Sequence, residues 1–265
     1  MEKDYDIIVL GGGAGGVPAA IRAAQLGGKV AIIESRDFGG QCMNRGCIPF
    51  GHMMVASNIV GSLSLGKDMG LTFQEIPIDY PTLQKRQNEL IAFMRQGVTS
   101  TLKKNKVEII EGKGKIVGKG KVIVNSTTLS YKNIILAAGA QWQKPTFPGA
   151  DLEEIVNTDS LLTADKLPKR VLLFGPSPWF IEIAQFLHRF GSQVILATPE
   201  ETILSGESKA IITRLRKVLK NEGVDIKVQA EILAAMKKKN GLYVDLNAKD
   251  VRETVVVDRV ITIER

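Results

Sequence analysis

Two cysteines, Cys42 and Cys47, are the only thiols in this chain of 265 residues, and they stand five positions apart. Sulfur at that spacing has three uses: a metal site, a structural crosslink or a reversible redox pair. Zinc needs four ligands, and the two histidines, His52 and His188, fall at no familiar ligand spacing from the cysteines. No metal site is expected. A purely structural disulfide is disfavoured in a chain of this size read as cytoplasmic. Two ordinary thiols and a catalytic pair remain, and the surrounding elements have to decide between them.

Upstream of the cysteines the chain reads Asp6 to Leu10, Gly11-Gly12-Gly13-Ala14-Gly15-Gly16, Val17 to Leu26, Gly27-Gly28 and Lys29 to Glu34. An apolar strand, a glycine turn, an Ala-rich helix, a glycine stop and a second apolar strand make a βαβ unit. Gly11, Gly13 and Gly16 fit G-x-G-x-x-G. The first allows a tight turn, the second lets the backbone approach a pyrophosphate, and the third lets helix and strand pack closely. The diphosphate then meets unpaired N–H groups at the positive end of the helix dipole. Glu34 follows Gly16 by 18 residues and ends the second strand. A carboxylate there accepts hydrogen bonds from both ribose hydroxyls of an adenosine.

A shift of 164 residues superposes a second copy without a gap. Val171 to Gly175 matches the first strand and turn, Ala184 matches Ala20, Gly191 matches Gly27, and Val194 to Ala197 matches the second strand. The nucleotide chemistry has not been kept. Ser177 stands in place of Gly13, Phe180 in place of Gly16 and Thr198 in place of Glu34. Between the copies, Leu83 to Lys104 reads as a helix, and short strands follow at 107–111, 115–117, 121–124 and 133–137. The stretch 141–151, with Pro145 and Pro148, reads as a linker. The expected fold class is α/β, with two Rossmann-like βαβ domains over 1–149 and 150–265, the second carrying a degenerate motif.

Composition narrows the remaining classes. A hydrophobic share of 44% with 24% charged residues is that of a globular chain with sizeable cores. The net charge of +7 is scattered, with short clusters at 103–104 and 237–239 and no alternating aromatics, so no nucleic acid is expected as a partner. Charged or Gly-rich segments interrupt every apolar run, which leaves no expected membrane span. A strand begins almost at the N-terminus, leaving no room for a signal peptide, and cytoplasmic residence is the expectation.

The run Glu34-Ser-Arg-Asp-Phe-Gly-Gly-Gln-Cys42-Met-Asn-Arg-Gly-Cys47-Ile-Pro49 resembles the redox segment of the flavoprotein disulfide reductases. Within that family it is most similar to the dihydrolipoamide dehydrogenases, and Ile48 after the second cysteine leans that way. Ile134 to Ala140, followed by Pro145 and Pro148-Gly149, resembles the segment that closes the family's flavin domain. The resemblance implies FAD, held by Gly11 to Gly16, Glu34, Ser35, Gly40, Gln41, Gly114, Ala138 and Gly139, with Glu182 standing for the Glu near the flavin ring. It also implies a disulfide between Cys42 and Cys47, with Cys42 exchanging with a dithiol or disulfide substrate of lipoyl type and Cys47 facing the flavin as the charge-transfer thiolate. Five helical residues advance roughly 7.5 Å, beyond the ~4.4–6.8 Å that a disulfide tolerates between Cα atoms. The helix must therefore distort, which Gly46 and Pro49 permit, and a helix start favours thiolate over thiol.

Two departures from the family pattern stand out. Gly51 occupies the position where family members carry a Lys that pairs with the Glu counterpart of Glu182. The sequence also stops at Arg265, inside what resembles the last strand of the second domain, before the family's ribityl-binding Gly-Asp segment and interface domain. The expectation is an FAD-dependent disulfide oxidoreductase that acts with a partner chain supplying the remainder. The alternative is a flavin-binding electron-transfer or scaffold subunit without independent turnover. NAD(H) is expected to bind weakly or not at all.

Overall fold

The computed structural model describes residues 3–72 and 77–262. In chain order the first part holds β1 (Lys3–Leu10), α1 (Gly16–Gln25), β2 (Val30–Glu34), α2 (Gly40–Arg45), α3 (Cys47–Asp68), α4 (Tyr80–Lys104), β3 (Glu108–Glu111), β4 (Lys115–Gly118), β5 (Lys121–Val124) and β6 (Thr127–Leu136). The rest holds β7 (Ile155–Val156), α5 (Asp159–Thr163), β8 (Arg170–Phe174), α6 (Trp179–Arg189), β9 (Gln193–Ala197), α7 (Lys209–Glu222), β10 (Asp225–Lys227), β11 (Ala230–Lys238), β12 (Gly241–Ala248), β13 (Val251–Val257) and β14 (Arg259–Thr262).

The first sheet runs β3-β2-β1-β6-β5-β4. Its first four strands are parallel and its last three form an antiparallel meander. Successive side chains point to opposite faces of a strand, and here both faces are covered. Val9 and Ile32 pack with Ala20 and Ala23 of α1 and Leu102 of α4, while Ile8 and Ile33 pack with Val122, Val124 and Leu129 of the meander. That double coverage is why β1 and β2 read as continuous apolar runs. The second sheet, β10-β9-β8-β14-β7, is parallel throughout. Leu172, Ala197 and Val260 on it pack with Leu242, Val244, Leu246 and Val257 of the antiparallel sheet β11-β12-β13. Phe180, Ile183, Ala184, Phe186 and Leu187 of α6 are buried. Both halves are Rossmann-like, as the repeat spacing implied.

Internal contacts divide the chain differently from a single cut after residue 149. One unit is Met1–Gly51 with Lys85–Ala140, and the other is His52–Gln84 with Gln141–Arg265. Side chains account for the assignment of 52–84 to the second unit. The Tyr80 hydroxyl donates to Leu161 O at 2.6 Å, Gln84 Nε2 to Ala164 O at 2.7 Å, and Arg189 Nη1 to Asn58 Oδ1 at 3.0 Å.

By length and composition alone the stretch Gly40–Lys67 meets the test for a membrane-crossing helix, where the sequence reading expected none. The stretch is interrupted at Gly46, and its polar Asn44 and Ser57 are buried within the fold.

Candidate active site

The glycine turn is built as its spacing required. Gly11 has φ of +107°, and a Cβ there would collide with the Ala137 carbonyl. A Cβ on Gly16 would collide with Gly11 O, and one on Gly12 would lie 2.5 Å from the Phe38 ring. Gly13 differs from these. Its Cβ would meet only Gly40 Cα, at 3.5 Å, so Gly13 is bare for what lies outside the turn and not for packing within it. Helix α1 opens at Gly16 with no side-chain cap and no acidic residue in its first turn. Val17 N already donates to Gly13 O at 3.0 Å and Pro18 has no N–H, so the open donors at this end are the amides of the turn and of Gly16. An anion is what such an end accepts.

Glu34 holds the edge of this cradle. Its Oε2 accepts from Gly12 N at 2.6 Å and its Oε1 from Arg36 N at 2.8 Å, which fixes the carboxylate beside the turn with lone pairs to spare. Gly40, at φ of +64°, lies close to Gly13: a Cβ on it would stand 2.6 Å from Gly13 Cα. The Ala137–Ala138 backbone abuts Gly11, and Gly114 lies against Leu10 and Ile33 at the strand ends. Ala14, Gly15, Ser35, Ala138 and Gly139 are exposed. The structure thus gathers Gly11 to Gly16, Glu34, Gly40, Gly114, Ala138 and Gly139 at one end of the first sheet. These residues fit a dinucleotide such as FAD: a bare backbone cradle for the diphosphate and a fixed carboxylate for the adenosine ribose. Glu182 lies on α6 in the second unit, exposed.

The cysteines sit where the helix breaks. Helix α2 ends at Arg45, Gly46 takes φ −133° and ψ −115°, and α3 begins at Cys47. A Cβ on Gly46 would lie 3.1 Å from Gln41 O and 3.2 Å from Cys42 Cα, so the break and the glycine require each other. Both thiols are free and exposed. They touch chemically: a hydrogen bond with Cys47, joined by burial and by the charge of that neighbour, pushes the Cys42 thiol above its ordinary value. Replacing Cys47 with Ala is therefore expected to move the pH at which Cys42 becomes reactive downward, towards the ordinary thiol range. Iodoacetamide labelling rates across pH check it, and an unchanged profile would contradict the pairing.

Beside Cys42 lies a cavity of about 280 Å³, walled by Val17 and Pro18 of α1, Met43, Ile48, and Met94 and Val98 of α4, and reaching Gly13 and Ala14. Met94 thus stands with Cys42 in one cavity wall, a meeting that the spacing along its own helix does not signal. Gln41 Nε2 donates to Arg45 O at 3.4 Å. Gly51 is exposed, and a Cβ there would meet nothing within 4 Å. His52 Nε2 is enclosed with no hydrogen-bond partner among the described residues. Among the described residues no three His, Cys, Asp or Glu side chains group to hold a metal ion.

The sequence profile of the family described as pyridine nucleotide-disulphide oxidoreductase matches residues 5–263. The chain belongs to that family. Cys42, Cys47 and the glycine turn all lie within the matched residues. It is 33% identical over 237 residues to the dihydrolipoyl dehydrogenase of Acholeplasma laidlawii, covering 88% of this chain and 70% of that one. It is 34% identical over 263 residues to the dihydrolipoyl dehydrogenase of Thermus scotoductus, covering 98% of this chain and 56% of the relative. Among solved structures it resembles a Cu(II) complex of the HOCl-induced flavoprotein disulfide reductase RclA from Escherichia coli. That likeness has a TM-score of 0.85 at 23% identity and covers 100% of this chain and 57% of the other. The chain spans little more than half the length of most of these proteins.

Proposed function

We propose that this chain is the flavin and dithiol module of a dihydrolipoyl dehydrogenase-type enzyme, passing electrons between a lipoyl-type dithiol and FAD through Cys42 and Cys47. The observation that carries the reading is the placement of Cys42 in the wall of an apolar cavity that also reaches the Gly13–Ala14 turn. The reaction balances with this chain's own sulfurs. One thiolate of the substrate attacks Cys42 Sγ of the oxidised pair, the Cys42–Cys47 bond breaks, and Cys47 leaves as thiolate. The second substrate thiolate attacks the mixed disulfide, the substrate departs as a cyclic disulfide, and two protein thiols remain. Bound FAD supplies the two-electron acceptor. FMN has no use for Glu34, whose role depends on an adenosine ribose.

The cavity wall favours the lipoyl class. A hydrocarbon arm is compatible with Met43, Ile48, Met94 and Val98, whereas a charged peptide disulfide would lose hydration there without gaining partners. In stopped-flow mixing, lipoamide is expected to oxidise the reduced chain at least tenfold faster than glutathione disulfide. Equal rates would remove the substrate assignment. A partner supplying a general base belongs to the same reading. The exposed Val55, Ile59 and Leu65 side chains of α3 are a surface such a partner would cover.

NAD(H) binds weakly or not at all in this reading. Pro176 and Pro178 have no N–H to give, and the N–H of Trp179 already donates to Ser177 Oγ at 3.3 Å. Phe180 is fully buried in the place of the packing glycine. Thr198 is buried and its hydroxyl accepts from Glu200 N at 3.3 Å, so it offers the ribose no carboxylate. Losing a charged hydrogen bond costs about 1.5–3 kcal/mol, or roughly tenfold to a hundredfold in affinity. Isothermal titration with NADH and NADPH is expected to give no dissociation constant in the low micromolar range. Finding one for either would overturn this part.

A further inference from the structure

We propose that Arg95 is a positioning residue for the redox pair, a guanidinium on α4 that holds the peptide between the cysteines in its disulfide-forming shape. The proposal rests on the redox reading of Cys42 and Cys47 above. Arg95 Nε donates to Asn44 Oδ1 at 2.5 Å, and its Nη1 pairs with Asp37 Oδ1 at 2.9 Å. Asn44 lies between the two cysteines and is buried. Its Nδ2 is directed at three carbonyls, Asp37 O at 3.4 Å, Phe38 O at 3.1 Å and Gly40 O at 2.8 Å. One guanidinium therefore grips both ends of the segment Asp37–Asn44.

That segment needs the grip. Gly39 and Gly40 are in left-handed backbone at φ of +97° and +64°, and Cys42 follows in the first turn of a six-residue helix too short to stand alone. A second α4 side chain, the buried Gln87, donates to Pro49 O at 2.8 Å on the far side of the Gly46 break. Helix α4 thus brackets the pair, with Arg95 before the break and Gln87 after it. A fork that satisfies a carboxylate and an amide oxygen together is specific to Arg; an ammonium supplies only a point charge. Holding two thiols in bonding geometry raises their effective concentration towards each other and so favours the disulfide.

The test is the thiol–disulfide equilibrium of the full-length chain in glutathione buffers of defined ratio. In it one glutathione disulfide is reduced to two thiols for each protein dithiol oxidised. Acid quenching, alkylation and mass measurement count the protein thiols. Arg95→Met is expected to lower the constant for disulfide formation at least tenfold, ~30 mV for a two-electron couple. Arg95→Lys should recover part of the loss through Asp37. Asp37→Asn should shift the constant in the same direction and serves if Arg95→Met does not fold. Constants within twofold of the unchanged chain for the folded variants would overturn the proposal, since a merely structural contact changes melting and not this ratio. If the unchanged chain itself never forms the intrachain disulfide, the redox reading fails, and this proposal with it.

Discussion

Gly13→Val is expected to lower the affinity for FAD at least a hundredfold while leaving the fold intact. The loss corresponds to about 2.7 kcal/mol. Most glycines of the turn cannot test this, because a side chain on them strikes the protein itself: on Gly16 it meets Gly11 O, and on Gly11 the Ala137 carbonyl. Gly13 would place its Cβ in ordinary contact, 3.5 Å from Gly40 Cα. The branches of valine then fill the space between the turn and Gly40, where a diphosphate has to approach the backbone. Flavin-to-protein ratio after reconstitution, with circular dichroism melting beside it, reads the two effects separately. Gly16→Val should lose both flavin and stability. A Gly13→Val protein that keeps one FAD per chain at micromolar concentration would show that the turn does not hold the diphosphate.

The cysteine variants should separate in kind as well as in size. Cys42→Ser and Cys47→Ser are each expected to cut flavin reduction by dihydrolipoamide by at least ~1000-fold, since neither can form the disulfide that the substrate dithiol attacks. Their spectra should differ. Cys42→Ser leaves a Cys47 thiolate beside oxidised flavin and should show a long-wavelength charge-transfer band. Cys47→Ser should lack it. The structure supports unequal roles, because Cys42 and not Cys47 lines the apolar cavity. A band in the Cys47→Ser protein would reverse the two assignments, and undiminished reduction in either variant would remove the pair from the reaction.

What the sequence made legible was local. The βαβ unit could be read because Gly11, Gly12 and Gly16 each answer a clash within the turn or with a neighbouring segment. The break at Gly46 could be read because two cysteines five apart on a straight helix are too distant for a disulfide. The decayed second motif was equally visible, since Phe180 and Thr198 sit at positions fixed by the first copy.

The misses share a cause: they depend on side chains meeting across long stretches of chain. The division of the chain turned on Tyr80 reaching Leu161 and Arg189 reaching Asn58, contacts with no periodic signature. Arg95 and Asn44 are 51 residues apart, and on its own helix Arg95 reads as one more solvated cation.

The most direct test of the account is an anaerobic titration of the FAD-reconstituted chain with dihydrolipoamide, followed by visible absorption and by alkylation of Cys42 and Cys47. The account predicts that FAD, and not FMN, is released on heating. It predicts that both cysteines resist alkylation before reduction, and that one equivalent of dithiol exposes both thiols and raises the long-wavelength charge-transfer band together. A chain that takes up no FAD, or one whose cysteines are alkylated at the same rate throughout while the flavin spectrum stays fixed, would contradict it.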